Sequence, residues 1–210
     1  MKKYILFDND GVLVETEMWY YEASLKALKQ FDIDIAFDEY MRIMAEGSTV
    51  WQKALKKGIS QKDIHRARDE RNLYYQEFLR TKDIAIEGVH DILEELSKKY
   101  KMAIVTTSRR VDFEIIHKSR GITDFMDFVL CEEDYNYCKP HPEPYLTGLK
   151  RFNATKSETI IVEDSERGLT SAYRAGIDCV TVKNEFTKTQ DFSKSSYTID
   201  KLSELLNILD

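Results

Sequence analysis

Five short apolar runs constrain the fold of this chain more than any other feature. Each run is continuous, without alternation of apolar and polar residues, and each ends at a polar residue. Such runs are typical of strands that are covered on both faces, as in a parallel sheet. The runs are residues 4–7, 102–105, 128–130, 159–162 and 179–182. We therefore expect these segments to be strands of one buried parallel sheet.

Helical patterns separate these runs from residue 88 onward. Apolar residues recur with the i, i+3, i+4, i+7 spacing of a buried helix face at 89–96 and at 145–152, and Pro142 lies near the start of the second pattern. A closing amphipathic helix is predicted over residues 200–209. This alternation of strand and helix indicates an α/β fold with a doubly wound parallel sheet.

Residues 15–83 interrupt the alternation, because they contain helical patterns and no convincing strand. We interpret them as an all-helical insertion, with residues 1–14 and 84–210 forming the sheet-containing domain. Ser60 and Asp63 have the spacing of a capping box. The charges after them, such as Arg66 and Arg71, are mixed in sign with Asp69 and Glu70, which favours a solvated helix face. The predicted helices of the insertion cover about 16–30, 37–45, 49–57 and 61–80.

Composition excludes several classes of function. With 42% hydrophobic and 32% charged residues, and no apolar run near the roughly 18 residues of a membrane span, we expect a cytoplasmic protein without membrane partners. The net charge is −6 and basic residues are interspersed with acids, which argues against nucleic-acid binding. Cys131, Cys138 and Cys179 lack C-x-x-C spacing, so we expect reduced thiols rather than disulfides or a zinc site.

Two acids, Asp8 and Asp10, follow the first apolar run directly, and Gly11 comes after them. An Asp-Gly hairpin turn would need alternating strands on both sides, whereas here one side is wholly apolar and the other helical. A calcium-binding loop would place its glycine five residues after the first acid, and Gly11 lies three after Asp8. No Gly-x-x-x-x-Gly-Lys sequence of a P-loop occurs. We expect the two acids to lie at a strand end, where they could hold a metal and a phosphate.

A second acidic pair, Glu163 and Asp164, ends the run 159–162 in the same way. Asp164 or Ser165 could instead simply cap the helix that runs to Ala175, and taken alone the two interpretations are balanced. A cap does not explain why two strands end in acids. The pairing of both acidic ends therefore favours a shared site.

Two further segments carry polar side chains that could join this site. Thr106 ends the run 102–105, although it could be an ordinary strand-end threonine, with Thr107 or Ser108 capping the next helix. Lys139 lies in a segment, 138–144, that contains all three prolines of the chain. Fixed proline φ angles stiffen the loop and could hold one lysine in place. We interpret the neighbouring His141 as a loop residue.

The charges of these candidates constrain the chemistry. Four carboxylates (Asp8, Asp10, Glu163, Asp164) and one ammonium group (Lys139) leave a formal charge of −3. Two like charges about 4 Å apart repel by roughly 4 kcal/mol at an effective dielectric near 20, so the cluster would not stay ionised unaided. A divalent cation removes two charges, and oxygen-only ligands favour Mg²⁺. One added proton would cancel the remaining charge and provide a general acid.

Together these motifs resemble the haloacid dehalogenase superfamily of aspartate-nucleophile phosphatases, particularly the subgroup related to β-phosphoglucomutase. The first motif is matched by residues 8–14, the second by Thr106, the third by Lys139 before Pro140, and the fourth by Glu163-Asp164 with Ser165 and Gly168. The resemblance covers essentially the whole chain. It implies a Rossmann-like core with a helical cap inserted after the first strand.

The resemblance also implies roles for the residues. Asp8 would attack phosphorus and form an aspartyl-phosphate, and Asp10 would act as acid and then base. The Mg²⁺ ligands would be Asp8, the Asp10 carbonyl, Asp164 and, in or just behind that shell, Glu163. Thr106 and Lys139 would hold the phosphoryl group. The expected substrate contacts are Thr16, Thr106, Thr107, Ser108 and Lys139.

Several functions stay open at this stage. We favour a monomeric phosphatase acting on a small phosphorylated metabolite. The alternative is a sugar-phosphate mutase, although the loop 45–51 lacks the arginine that such members tend to place there, and the nearest is Arg42. A dehalogenase would not call for Asp10, and a receiver-like signalling module would not call for a second acid or a lid.

Overall fold

The computed structural model describes residues 1–209, and the chain divides into two units. The first unit comprises Met1–Glu15 and the chain from Ala85 onward, and the second comprises Thr16–Ile84. Within the described residues, all strands belong to the first unit and the second is helical.

The first unit is built on a six-stranded sheet in the order β3-β2-β1-β4-β5-β6, and every neighbouring pair is parallel. This is the strand order of a doubly wound Rossmann-like fold, as the sequence predicts. The central strands are almost wholly buried, which explains their continuous apolar sequences. The strands are β1 (Tyr4–Phe7), β2 (Lys101–Val105), β3 (Phe128–Leu130), β4 (Thr159–Glu163), β5 (Asp178–Val182) and β6 (Tyr197–Ile199).

The chain adds β2 and β3 on one side of β1 and then β4, β5 and β6 on the other side. The sheet therefore has its topological switch point between β1 and β4. Phe7 is level with Ile104 of β2 and with Val162 of β4. The residues that follow these positions therefore emerge at one edge of the sheet. In doubly wound sheets this crevice, outside the carboxyl ends of the strands at the switch point, is where ligands bind.

All five predicted strands are confirmed to within one residue. The sixth, β6, was not predicted from the sequence. It has only three residues and forms one edge of the sheet, where Tyr197 is exposed and only Ile199 is buried. An edge strand needs no continuous apolar sequence, so the pattern that identifies the inner strands is missing here.

The second unit contains four helices, in which α1 and α4 pack through aromatic pairs. The ring centroids of Tyr20 and Tyr75 lie 5.0 Å apart, with the rings edge to face. Helix α1 ends two residues before its predicted end, because a 3₁₀ turn and a left-handed Asp32 follow it. The helices are α1 (Glu17–Leu28), α2 (Phe37–Ala45), α3 (Trp51–Lys56) and α4 (Gln61–Thr81).

Helix α4 begins as the capping residues predict, since the Ser60 hydroxyl accepts a hydrogen bond from the Asp63 N–H at 3.1 Å. The expected solvated face is confirmed for Arg66, which is exposed beside Asp63. The expectation is wrong for Arg71, whose guanidinium lies 4.3 Å from the centroid of the Tyr20 ring and is only half exposed. Tyr20 of α1 therefore partly shields the Arg71 guanidinium, which would be exposed to solvent on an isolated α4 helix.

Among residues 1–209, five α-helices belong to the first unit. The predicted final helix is shorter than expected, because residues 202–204 form a 3₁₀ turn and only the last residues are α-helical. Leu202 and Leu205 are both buried, since side chains three residues apart share one face of a 3₁₀ turn. The helices are α5 (Val89–Ser97), α6 (Arg110–His117), α7 (Glu143–Phe152), α8 (Glu166–Ala175) and α9 (Leu205–Leu209).

The described residues also bear on two compositional expectations. None of their helices has both the length and the apolar character that crossing a bilayer requires. Cys131, Cys138 and Cys179 are free thiols, as the sequence predicts.

The cap of α4 generates a stability prediction. Ser60→Ala removes the acceptor of the Asp63 N–H and is expected to lower the unfolding free energy by about 1 kcal/mol. Both tryptophans lie in the second unit, so urea unfolding followed by tryptophan fluorescence measures this change. Ser60→Asp keeps a capping oxygen and is expected to unfold like the unchanged protein. Equal loss in both variants would contradict the capping role.

Candidate active site

Three carboxylates meet at the carboxyl edge of the sheet. Asp8 directly follows β1, Glu163 ends β4 and Asp164 comes next in the chain. Each offers an oxygen within 4.8 Å of the other two, and all three residues are buried. The register explains the meeting, since Phe7 is paired with Val162 and the two chains continue side by side. The acidic strand ends predicted from the sequence therefore form one cluster.

Lys139 connects two of these acids. Its Nζ donates hydrogen bonds to Asp8 Oδ1 and Glu163 Oε1, each at 2.7 Å, and to the Val105 carbonyl at 2.9 Å. All three donors of the ammonium group are therefore used. Lys139 is 5% exposed, and its peptide bond to Pro140 is cis. The proline-rich loop delivers this lysine to the acids, as the sequence suggests.

The cluster carries more negative charge than Lys139 can balance. Burial, and then the charge of Glu163, raise the pKa of Asp8 to about 7, although Lys139 opposes the shift. Burial would also raise the pKa of Glu163, but the charge and hydrogen bond of Lys139 outweigh it and hold that pKa below its ordinary value. Near neutral pH the unbalanced negative charge of the cluster therefore favours a proton on Asp8.

A divalent cation fits this arrangement. The ligand atoms are carboxylate oxygens, which hard cations prefer. A cation beside them would offset the negative charge that raises the pKa of Asp8. Asp8, Glu163 and Asp164 are the residues that could hold it. The Asp10 carboxylate is not part of this cluster, which leaves its backbone carbonyl as the predicted ligand.

Two glycines let the backbone approach the acids closely. A Cβ atom at Gly11, where φ is +77°, would lie 2.0 Å from Asp164 Oδ2. A Cβ atom at Gly168 would lie 1.8 Å from Glu163 Oε1. Any other residue at either position would displace a carboxylate. The sequence motifs therefore contain these glycines for steric reasons.

Asp10 occupies a separate hydrogen-bonding environment. Its Oδ2 accepts hydrogen bonds from Ser108 Oγ at 2.8 Å and, more weakly, from Thr106 Oγ1 at 3.4 Å. The alternative interpretation, in which Thr107 or Ser108 caps the next helix, does not hold, because Arg109 precedes α6 and no side chain caps it. Ser108 points to Asp10 instead, so tertiary structure overrides the local capping preference.

The other two predicted substrate contacts, Thr107 and Thr16, belong to different units. Thr107 Oγ1 accepts a hydrogen bond from the Arg167 guanidinium at 3.4 Å. Thr16 belongs to the second unit, where it precedes α1 and is buried without capping it. His141 is half exposed, and its Nδ1 accepts a hydrogen bond from the Glu143 N–H at 3.2 Å, in keeping with a loop residue.

Sequence reasoning missed two side chains that hold the acids. The Tyr145 hydroxyl donates to Glu163 Oε1, although the helical pattern identified Tyr145 only as an apolar position. Asn184 Nδ2 donates to Asp164 Oδ2 at 2.8 Å. Asn184 is the second residue after β5, following Lys183, so a polar residue shortly after a buried strand was a usable signal.

A third contact that sequence reasoning missed joins Asn9, which directly follows Asp8, to helix α6. Asn9 Oδ1 and His117 Nε2 are 2.7 Å apart, and both residues are buried. Burial lowers the pKa of His117 to about 4, so its ring is neutral at pH 7. The ring Nε2–H donates to the amide, which ties the backbone between Asp8 and Asp10 to α6.

The close approach of Gly168 generates a prediction. Gly168→Ala is expected to lower the unfolding free energy by about 3 kcal/mol, because the new methyl group overlaps the Glu163 carboxylate. The loss is measured by chemical unfolding. In a Glu163→Ala background the same substitution should cost much less, since the overlapping group is gone. Equal costs in the two backgrounds would contradict the steric role.

Comparison with known proteins places the fold and the family. A family model described as haloacid dehalogenase-like hydrolase matches residues 5–182. A phosphorylated carbohydrates phosphatase of Thermotoga maritima is 30% identical over 181 residues, covering 83% of this chain and 82% of that protein. Pyrophosphatase PpaX of Bacillus mycoides is 34% identical over 126 residues, 59% of each.

Solved structures share the fold at lower identity. CbbY from Rhodobacter sphaeroides, in complex with phosphate, has a TM-score of 0.82 and 20% identity, covering 98% of this chain and 96% of its own. A β-phosphoglucomutase from Clostridium difficile has a TM-score of 0.79 and 24% identity, covering 98% and 93%. With the matched motifs and the geometry of their residues, the family model leads to one conclusion: this chain belongs to the haloacid dehalogenase-like hydrolases.

Proposed function

We propose that this protein is a Mg²⁺-dependent phosphatase that hydrolyses a small phosphorylated metabolite through an aspartyl-phosphate. The observation that carries the proposal is the buried cluster of Asp8, Glu163 and Asp164 with Lys139 bonded to Asp8. The name of the Thermotoga maritima relative, a phosphorylated carbohydrates phosphatase, supports the substrate class. In this proposal the first unit is the catalytic core and the second is the cap.

Asp8 is the nucleophile in this mechanism. Its carboxylate must be ionised to attack, yet its surroundings raise its pKa to about 7. Asp8, Asp164 and the Asp10 carbonyl, with Glu163 beside them, would hold Mg²⁺, and the ion would supply positive charge that favours the ionised carboxylate and offsets the charge of the phosphoryl oxygens. Lys139 contributes the second positive charge and holds Asp8 by its Oδ1, which leaves Oδ2 for the attack.

The reaction runs in two displacements. Asp8 bonds to phosphorus as the bond to the leaving oxygen breaks, and Asp10 gives that oxygen a proton. Asp10, now ionised, removes a proton from water, which attacks the phosphoryl group and returns Asp8 to its carboxylate. Thr106, Ser108 and Lys139 are the proposed donors for the phosphoryl oxygens, and each would exchange one of its present acceptors for a phosphoryl oxygen when substrate binds. Two of them already bond Asp10, so they connect the acid/base to the phosphoryl site.

The nucleophile assignment predicts the effect of one substitution. Asp8→Asn removes the attacking carboxylate and is expected to lower kcat for an aryl phosphate by about 10³-fold or more in the presence of Mg²⁺. Phosphate release is the readout. Asp178→Asn is the matched control. Asp178 is the first residue of β5, so it lies at the amino end of the strand, away from the carboxyl edge that holds the acids, and it pairs with the Lys2 ammonium.

Retention of activity in Asp8→Asn, or equal loss in the control, would overturn the assignment. A mutase would interconvert sugar phosphates without releasing phosphate, so assaying isomer formation beside phosphate release distinguishes that alternative. Formation of isomers alone would contradict a hydrolase.

The raised pKa of Asp8 predicts how the metal affinity depends on pH. Below about pH 7 the metal-free carboxylate holds a proton, which a cation must displace. The Mg²⁺ dissociation constant is therefore expected to rise by up to about tenfold for each pH unit below 7 and to level off above it. Thermal unfolding with added MgCl₂, compared at about pH 6 and about pH 8, measures this. Equal stabilisation at both pH values would contradict the prediction.

A further inference from the structure

The segment after β5 continues beside the acidic cluster. Glu163 is level with Thr181 of β5, and the Lys183 N–H donates to a β6 carbonyl at 2.9 Å, so the backbone is held by its neighbours almost as far as Asn184. Asn184 is half-buried, and Asp164 is 7% exposed. The sheet therefore brings an amide side chain to one of the three clustered carboxylates.

The hydrogen bonds of Asn184 leave its amide one orientation. Its Oδ1 accepts from the N–H groups of Phe186 and Thr187, each at 2.9 Å, and from the Thr187 hydroxyl at 3.0 Å. Backbone N–H groups cannot accept a hydrogen bond, so the amide nitrogen cannot occupy this side. Nδ2 therefore faces the other way, where it donates to Asp164 Oδ2 at 2.8 Å.

The segment that carries Asn184 is bonded to the helix that follows Asp164. Gln190 Oε1 accepts a hydrogen bond from the Glu166 N–H at 2.7 Å, and the Asp191 N–H donates to Glu166 Oε2 at 3.1 Å. Glu166 is the first residue of α8 and lies two residues after Asp164. Both partners of the contact thus belong to segments that are bonded to each other, which limits their relative movement.

Gly11 also confines this carboxylate oxygen. A Cβ atom at Gly11 would lie 2.0 Å from Asp164 Oδ2 and 3.1 Å from Asn184 Nδ2, so the glycine backbone packs directly against the hydrogen bond. Rotation of the Asp164 carboxylate would break a hydrogen bond inside a closely packed space. A ligand group that is already ordered loses less conformational freedom when an ion binds.

The donor at position 184 is neutral, which distinguishes it from Lys139. Lys139 orients Asp8 and Glu163, and its charge also offsets theirs. Asn184 orients Asp164 without reducing the negative charge of the cluster, and that charge attracts a cation. Hydrogen bonds from groups outside the ligand set are a general means of orienting metal-binding carboxylates.

We propose that Asn184 is a positioning residue of the metal site: its amide holds the Asp164 carboxylate in the orientation in which it binds a divalent cation. The proposal rests on the Mg²⁺ site of the proposed function. It deepens that function, because it assigns part of the affinity for the ion to a side chain outside the ligand set.

The Mg²⁺ affinity tests this role without turnover. Full-length protein is unfolded thermally over a series of MgCl₂ concentrations at about pH 8, and the dissociation constant follows from the stabilisation. Asn184→Ser removes the donor to Asp164, whereas a serine hydroxyl can still accept from N–H groups of the turn. It is expected to raise the Mg²⁺ dissociation constant by about tenfold or more. Asn184→Thr is a second variant of the same kind and should give the same result.

Thr187→Val is the matched control. It removes one of the three hydrogen bonds to Asn184 Oδ1 but keeps both backbone donors and the bond from Nδ2 to Asp164. It should lower the Tm of the metal-free protein while changing the Mg²⁺ dissociation constant much less than Asn184→Ser does. Circular dichroism verifies that each variant is folded.

A purely structural role for Asn184 predicts lower metal-free stability with an unchanged dissociation constant. That result in both Asn184 variants would overturn the proposal and leave the proposed phosphatase activity untouched. Equal weakening in Thr187→Val would also overturn it, because the turn rather than the donor would then set the affinity. Absence of any stabilisation by Mg²⁺ in the unchanged protein would contradict the metal site itself, and with it both proposals.

Discussion

The contact of Lys139 with Asp8 and Glu163 is the interaction on which the site depends. A buried ammonium group between two carboxylates offsets part of the cost of enclosing them, and it uses all three donors. The balance is incomplete, since Asp8 still has a pKa near 7. This incomplete balance of the negative charge gives the site an electrostatic reason to bind a cation. A site whose charges balanced without a metal would hold Asp8 ionised, but it would have no electrostatic reason to bind one.

The parallel register converts sequence order into this geometry. Phe7 and Val162 are partners in neighbouring strands, so the acids that follow them must emerge together. Gly11 and Gly168 then bring two backbone segments against the carboxylates, closer than any side chain would allow. The sheet therefore sets the positions of the acids, and the glycines allow the backbone to pack closely against them. Neither feature would assemble the site alone.

Sequence reasoning identified the acids that follow buried strands and Lys139 in the proline-rich loop, and it missed contacts that only the folded chain brings together. Asp8 and Glu163 end continuous apolar runs, so their convergence follows from a parallel sheet. Tyr145 counts as apolar in a helical pattern, and only the folded chain brings its hydroxyl to Glu163. Ser108 could cap a helix or bond Asp10 with equal local plausibility, and tertiary structure decides. Asn184, two residues beyond β5, shows that polar residues slightly further from a strand end also reach the site.

The central claim is that Asp8 carries the phosphoryl group during turnover. Rapid acid quenching of the enzyme with Mg²⁺ and an aryl phosphate, followed by proteolysis and mass spectrometry, tests it most directly. The account predicts a phosphorylated peptide containing residues 8–10, modified at Asp8, that appears during turnover and disappears once the substrate is consumed. A phosphoryl group on any other residue would contradict the account. So would turnover with no phosphorylated peptide when the quench is faster than a single catalytic cycle.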